Sequence, residues 1–236
     1  MDGNNLEGKL IDPETPKNNG MMYEEYNYKK QIMKKIMFKD MILKRFFDIS
    51  VSFFGLLFFL PLFLVISFLI KIKMPGAILF CQNRIGKNGK LFRLVKFRTM
   101  REFSAGSSIS IIGDSRITPL GVILRKYKID ELPSLWNVFK GEMSFVGPRP
   151  DVPGYADKLK GSDRLILKLK PGITGPASLK YSNEEELLAR VKKPHKYNDE
   201  VIFPDKVRIN LAYYYNRTFW GDVKIILHTF LRINYK

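Results

Sequence analysis

The chain has 236 residues, enough for one globular domain with accessories. Its 40 Lys and Arg against 23 Asp and Glu give a formal charge of +17, which calls for an anionic partner: nucleic acid, anionic lipid or a phosphorylated substrate. One cysteine and two histidines exclude an internal disulfide and a cysteine-rich zinc site, and leave little room for histidine catalysis. If the chain is an enzyme, carboxylates and cations carry its chemistry.

Residues 1–28 run against the overall charge, with six acids (Asp2, Glu7, Asp12, Glu14, Glu24 and Glu25) and two lysines (Lys9 and Lys17). Their first 20 residues are polar, with scattered Gly, Asn and Pro, and read as a disordered leader. Ile32, Met33, Ile36, Met37 and Met41 then recur at helical spacing, with lysines between them. Two readings stay open for 29–45: a helix lying on an anionic membrane surface, or a basic tail beside a membrane segment.

Ile49–Ile70 is 22 residues without a charge. As a straight helix it would cover about 33 Å, enough to span a bilayer. Pro61 lies inside it and predicts a break, because proline removes one donor and clashes with the preceding turn. Both flanks are basic, with Lys39, Lys44 and Arg45 before and Lys71, Lys73 and Arg84 after. Basic loops favour the cytoplasmic side, so a helix that enters, turns near Pro61 and returns to the same face satisfies both flanks. Simple spanning is the rival reading, with a buried soluble helix behind it.

From Met74 the texture changes to that of a mainly helical α+β domain, 74–236. "AILFCQNRIGKNGKLFRLVKFRTM" predicts two strands around Lys87-Asn88-Gly89-Lys90, a small β-hairpin. Residues 101–113, rich in Ser, Gly and Ile, read as a loop. Thr118 is a candidate N-cap with Pro119 at the first helical position, for a helix to about Lys126 that presents Arg125 near its end. A second helix is expected from about Asp130 to Gly141, carrying Leu135, Trp136, Val138 and Phe139 into a core. "FVGPRP" (145–150) and "KPGITGPA" (170–177) read as stiff loops. Ser182 and Glu185 have capping-box spacing for a helix to about Lys192. A last helical region follows Pro204, interrupted at 216–221.

Asp130-Glu131 is the unusual feature. Acids in a first helical turn complement the helix dipole, by about 0.3–1 kcal/mol each, and that alone would explain most such pairs. Here Arg125, Lys126 and Lys128 precede the pair, and Lys140 and Arg149 follow it. Adjacent helix positions point about 100° apart, so one carboxylate can face a substrate while the other holds a cation. Mg2+ takes one or two carboxylates together with substrate phosphates, and arginine matches phosphate oxygens in pairs. A carboxylate can also attack phosphorus. On residues alone this reads as a membrane-associated phosphotransferase. The rival is a non-enzymatic, membrane-anchored basic module that binds anionic lipid or nucleic acid. It leaves the acidic pair unexplained, and no nucleic-acid motif is present.

The segments "RFFDISVSFFGLLFFLPLFL", "RIGKNGKLFRLVKFRTM", "DSRITPLGVILRKYKIDELPSLWNVFKGEMSFVGPRP", "KPGITG" and "FWGDVKII" resemble, in this order, the bacterial sugar transferases that are monotopic phosphoglycosyl transferases. The resemblance implies transfer of a phosphosugar from a UDP-sugar to a polyprenol (undecaprenyl) phosphate with release of UMP, at the cytoplasmic face of the bacterial inner membrane. It opens glycoconjugate assembly. It implies Mg2+ as cofactor, membrane lipids but no nucleic acid as partners, and a re-entrant helix broken at Pro61. Homo-oligomerisation stays open. Asp130 maps to the nucleophile that forms a covalent phosphosugar intermediate, and Glu131 to the metal-binding partner, with Asp130 beside it. Arg125 and Arg149 map to cations near the substrate phosphates. Lys96 and Arg98 either bind phosphate or support the site. Pro148 and Pro150 stiffen the loop of Arg149. One departure is Leu60 before Pro61, where relatives often have serine. The segment 182–202 is longer and more charged than in small relatives; it shapes sugar choice or is a solvated insert. Three parts are thus expected: 1–28 a leader, 29–73 membrane-associated, 74–236 catalytic.

Overall fold

The computed structural model describes residues 20–101 and 115–231, without the side chains of 20–38. Of the leader expected over 1–28, residues 1–19 lie outside the described residues and 20–28 are helical; the lysine face of 29–38 and nearly all of the Ser/Gly-rich loop also lie outside them. The chain forms two units, Met1–Ile42 and Leu43–Lys236. In the first, residues 20–42 are helical.

Helix α1, Gly20–Phe58, carries the first arm of the apolar run, and α2, Leu60–Lys73, the second. The break falls at Phe59, and the axes of Lys39–Phe58 and Leu60–Lys73 are bent by 58°. Pro61 sits in the first turn of α2, where backbone donors have no partner within the helix anyway. No single helix among the described residues is long and apolar enough to cross a membrane, and the bent pair meets that test only jointly. The run is not uniformly exposed. Phe54, Phe58, Leu64 and Phe68 face outward, whereas Ile66 and Ile70 are buried against Phe97 and Leu124.

Strands β1 (Leu79–Ile85) and β2 (Leu91–Phe97) form the expected antiparallel hairpin, in register from Leu79↔Phe97 to Ile85↔Leu91. Its turn needs left-handed backbone at Asn88 and Gly89, which those residue types tolerate. Helix α3 is Pro119–Lys126, and Thr118 caps it as expected, its Oγ accepting from the Gly121 N–H at 3.0 Å. The acidic pair does not open an α-helix. Ile129–Ser134 is a 3-10 segment, and α4 follows only at Leu135–Lys140. Leu135 and Val138 are buried as expected, but Trp136 is 49% exposed and stacks on Phe139 at 5.8 Å. Asn137 is the buried residue the apolar pattern hides. Its side chain accepts from Val95 N–H and donates to Arg93 C=O, pinning α4 to β2.

The two Pro/Gly loops contain strand. β3 (Ser144–Val146) and β4 (Gly172–Thr174) pair in parallel through Ser144↔Gly172 and Val146↔Thr174. Gly147 allows this, because a Cβ there would stand 2.2 Å from the Lys170 carbonyl oxygen. Between these strands lie short 3-10 turns at Ala156–Lys158 and Gly161–Lys168. Then come α5 (Pro176–Lys180), α6 (Glu184–Ala189) and α7 (Pro194–Tyr197). A π-turn at Asn198–Ile202 leads into α8 (Phe203–Asn216), and α9 is Phe219–Leu231. The expected capping box at Ser182 is not formed. α6 is preceded by Asn183 without a side-chain cap, and ends at Ala189 rather than near Lys192. The hairpin core (Phe92, Leu94, Val138, Met143) and the α8–α9 core (Val146, Tyr213, Ile225) flank β3, so the strand sits between two packed layers.

Candidate active site

After α3 the chain reverses through Lys128, which adopts left-handed backbone at φ 57° and starts the 3-10 segment. With three residues per turn, neighbouring side chains there diverge by about 120°. Asp130 points inward at 8% exposure, and Glu131 turns to a different set of partners. Pro133 lies inside this segment, and the Ser134 hydroxyl donates to the Glu131 carbonyl at 2.6 Å.

Glu131 Oε1 accepts from Lys96 Nζ and from Arg149 NH2, each at 2.7 Å. Lys96 comes from β2 and Arg149 from the loop that leaves β3. The pinning of α4 to β2 and the β3–β4 pairing thus bring three separate stretches to one carboxylate. Arg125 borders the same group by its charge on Asp130, but its NH2 donates to Glu185 of α6 at 2.5 Å. Segment 182–202 therefore reaches the proposed site through α6. Arg98 is placed elsewhere: it is buried and donates to the carbonyls of Met74 and Pro75. These bonds brace the junction after α2. Pro148 contributes through its carbonyl, which accepts from Gly172 N–H at 2.7 Å. Pro61 lies at the α1–α2 break, outside the cluster.

Lys96, Glu131, Ser134 and Arg149 line a cleft, joined by Arg84 and Pro150. Its volume is about 20 Å3, room for one water-sized group. Arg84 was legible only as one of many basic residues after the apolar run. What places it is the hairpin, from which it donates to the Pro150 carbonyl at 3.1 Å. Asp151, which follows Pro150, feels the charges of Arg84 and Arg149.

The charges around the pair drive the two carboxyls apart. Burial raises Asp130 above the ordinary carboxylate value, and the neighbouring Glu131 charge raises it further. Burial alone would raise Glu131 too, but Arg149 and Lys96 hold it well below the usual range. The same contact raises Arg149, while desolvation lowers Lys96. Burial and the Arg149 charge push Arg84 down to about 10, and burial pushes Asp151 up to about 6. Pairs of titratable groups driven in opposite directions mark sites of reaction.

Asp130 Oδ1 is buried and accepts no hydrogen bond. A buried carboxylate oxygen without a donor is costly, and such atoms commonly await a cation, a water or a reacting group. Among the described residues no three acids, cysteines or histidines group as a complete metal shell. Asp130 and Glu131 therefore suit a divalent cation only with oxygens from a substrate, the arrangement Mg2+ takes at phosphate sites.

A family model described as Bacterial sugar transferase matches residues 39–236. The chain is similar to the Galactosyl transferase CpsE of Streptococcus agalactiae serotype III (strain NEM316), at 34% identity over 88% of this chain and 45% of that protein. It is similar to the UDP-N-acetylgalactosamine-undecaprenyl-phosphate N-acetylgalactosaminephosphotransferase of Aeromonas hydrophila, at 34% over 79% of this chain and 42% of that protein. Likeness to the Exopolysaccharide production protein ExoY of Rhizobium meliloti (strain 1021) is 35%, over 65% of this chain and 76% of that protein. The chain spans under half the length of the first two relatives. The matched region takes in the bent helix pair, the acidic pair and the cations around it, and the chain belongs to the bacterial sugar transferase family.

Proposed function

We propose that the chain transfers a phosphosugar from a UDP-sugar to undecaprenyl phosphate, releasing UMP and giving undecaprenyl-diphosphate-sugar. The single observation that carries this reading is the division of the acidic pair. Asp130 keeps a buried oxygen without a donor, while Glu131 is held between Lys96 and Arg149. A nucleophile needs an uncommitted lone pair, and a phosphate site needs fixed cations beside it. The relatives' names, which include an undecaprenyl-phosphate glucose phosphotransferase from Komagataeibacter xylinus, support the same acceptor class.

Asp130, as carboxylate, attacks the phosphorus next to the sugar. The bond from that phosphorus to the bridging oxygen breaks, and UMP leaves with the electron pair. The phosphate oxygen of undecaprenyl phosphate then attacks the same phosphorus and expels the Asp130 carboxylate. Arg149 and Lys96 exchange their contact with Glu131 for the phosphate oxygens, and Arg125 leaves Glu185 in the same way. Asp130 and Glu131 would hold Mg2+, which when bound neutralises charge on the diphosphate. The bent pair at Pro61 serves as a re-entrant anchor, keeping the site at the cytoplasmic face of the membrane where the acceptor lies.

The test is UMP release from a panel of UDP-sugars with Mg2+ and undecaprenyl phosphate, together with trapping of the phosphosugar on protein. Asp130→Asn should abolish both while the protein stays folded; full turnover in that variant would sink the covalent mechanism.

A further inference from the structure

Lys44 and Asp48 are one helical turn apart on α1 and therefore share a face. Lys44 Nζ donates to the Val146 carbonyl at 2.7 Å and to the Tyr213 hydroxyl at 3.2 Å, and pairs with Asp222. Tyr213 donates in turn to Asp222 at 2.6 Å. Asp48 Oδ1 accepts from the Phe145 N–H at 3.0 Å and from the Ser144 hydroxyl at 3.1 Å. Asp48, Ser144, Tyr213 and Asp222 are all buried. Between them the two α1 side chains hold every residue of β3, two of the three by backbone.

β3 is the strand that delivers Arg149. It has only three residues and one partner strand, so its ladder alone fixes it weakly. Two residues, Gly147 and Pro148, separate Val146 from Arg149, and they are stiff. Gly147 is jammed against Lys170, Pro148 has a fixed φ and its carbonyl is tied to Gly172, and Pro150 follows. A shift of β3 is therefore carried to Arg149 rather than absorbed on the way. Arg149 itself is 46% exposed, and its guanidinium donates to Glu131 at 2.7 Å.

We propose that Lys44 and Asp48 are positioning residues for Arg149: the base of the bent helix pair sets where the phosphate-binding cation stands, through β3. This rests on the transferase reading for what Arg149 binds, but not for the mechanical link itself. The link places the seating of the apolar helix pair and the alignment of the reacting centre in one hydrogen-bonded unit. A helix pair pulled from its seat would misalign Arg149 before the domain unfolds.

Hydrogen exchange and kinetics on the full chain in lipid nanodiscs test it. Asp48→Ala removes the acceptor for Phe145 and Ser144; Asp48→Asn keeps an acceptor oxygen without the charge. Exchange in a peptide over 143–149 should quicken in Asp48→Ala, stay near wild type in Asp48→Asn, and leave the 79–97 hairpin unchanged in both. For UMP release, Asp48→Ala should lower kcat about tenfold or more with KM for the UDP-sugar within about twofold, as misplacing a transition-state group does. The loss should vanish in an Arg149→Ala background, because a residue acting through Arg149 has nothing left to position. Unchanged exchange at 143–149 overturns the proposal, as do losses that add fully with Arg149→Ala or exchange that quickens across the whole domain. Wild-type protein that releases no UMP from any UDP-sugar would fail the transferase reading instead, and the exchange result would still decide the link.

Discussion

The stretches Lys44–Ser52 and Asp130–Arg149 use the same residue types to opposite ends. In the first, the charges are closed off by protein. Lys44 meets Val146, Tyr213 and Asp222, and Asp48 meets Ser144 and Phe145. Arg45 caps the end of α4 through the Val138 and Phe139 carbonyls. Ser52 folds back onto the Asp48 carbonyl at 2.5 Å. In the second, valence is left open. Asp130 Oδ1 has no donor, and Arg149 is half-exposed. A buried network with every group satisfied fixes geometry, whereas a buried group left unsatisfied is strain that only a ligand or reaction relieves. The two regions meet at β3, which the first holds and from which the second takes its arginine.

The sharpest break of this contrast is Asp130→Asn. Turnover should fall by about 10⁴-fold or more, as losing a nucleophile does, while the melting temperature holds or rises, because a neutral amide is cheaper to bury. Radiometric UMP release and calorimetry read the two halves. Lys44→Met acts on the first region and should cost stability as well as turnover. It strands Asp222 buried without its cation, and denaturant titration should find a loss of about 3–5 kcal/mol. Glu131→Gln weakens the hold on Lys96 and Arg149, and turnover should drop about 10²-fold, the scale of losing one fixed electrostatic partner. A raised need for Mg2+ in that variant would tie Glu131 to the metal.

Acidity should separate the regions more gently. Burial and Glu131 raise Asp130, so its carboxylate form is lost at a higher pH than for an ordinary Asp. Activity is present above that raised value and should fall as pH drops through it, in a kcat/KM profile that Asp130 dominates. The smallest effect concerns Asp151. Its folded value of about 6 lies above the ordinary carboxylate value, so folding favours its protonated form. Its ionised form therefore costs stability, in full above about pH 6, and that cost is relieved as pH falls from about 6 towards the ordinary carboxylate value of about 4. Asp151→Asn should gain about 1 kcal/mol at pH 7 and flatten this part of the stability profile.

The features read correctly from sequence are those whose cause is local. Pro61 breaks the apolar run because of its own ring and missing donor. Asn88-Gly89 makes the hairpin turn because those residues tolerate left-handed backbone. Thr118-Pro119 starts α3 because the cap and its acceptor lie three residues apart. Where a residue had a distant partner, local rules misled. Glu185 leaves the expected capping box for Arg125, which lies 60 positions away. Trp136 follows the apolar pattern of α4 yet stacks on Phe139 at the surface, while polar Asn137 takes the interior to bond β2. Lys44 and Arg45 look like membrane-flanking charges, and the fold spends both on backbone carbonyls of the domain.

By itself the sequence determined the kind of chemistry: a basic chain with an adjacent acid pair, arginines on either side, and an apolar run broken by proline. It also placed the chain beside its family, since those motifs keep their order and residues. It left the roles within the pair resting on resemblance. Only the tertiary structure divided them by environment, because the cations that hold Glu131 arrive from a hairpin 35 residues before it and a loop 18 residues after. The same long-range packing decided that Arg98 braces the chain after α2 and that β3 hangs from α1. Charge and periodicity are written along the chain, whereas the choice of partner is made by whatever the folded backbone brings within 3 Å.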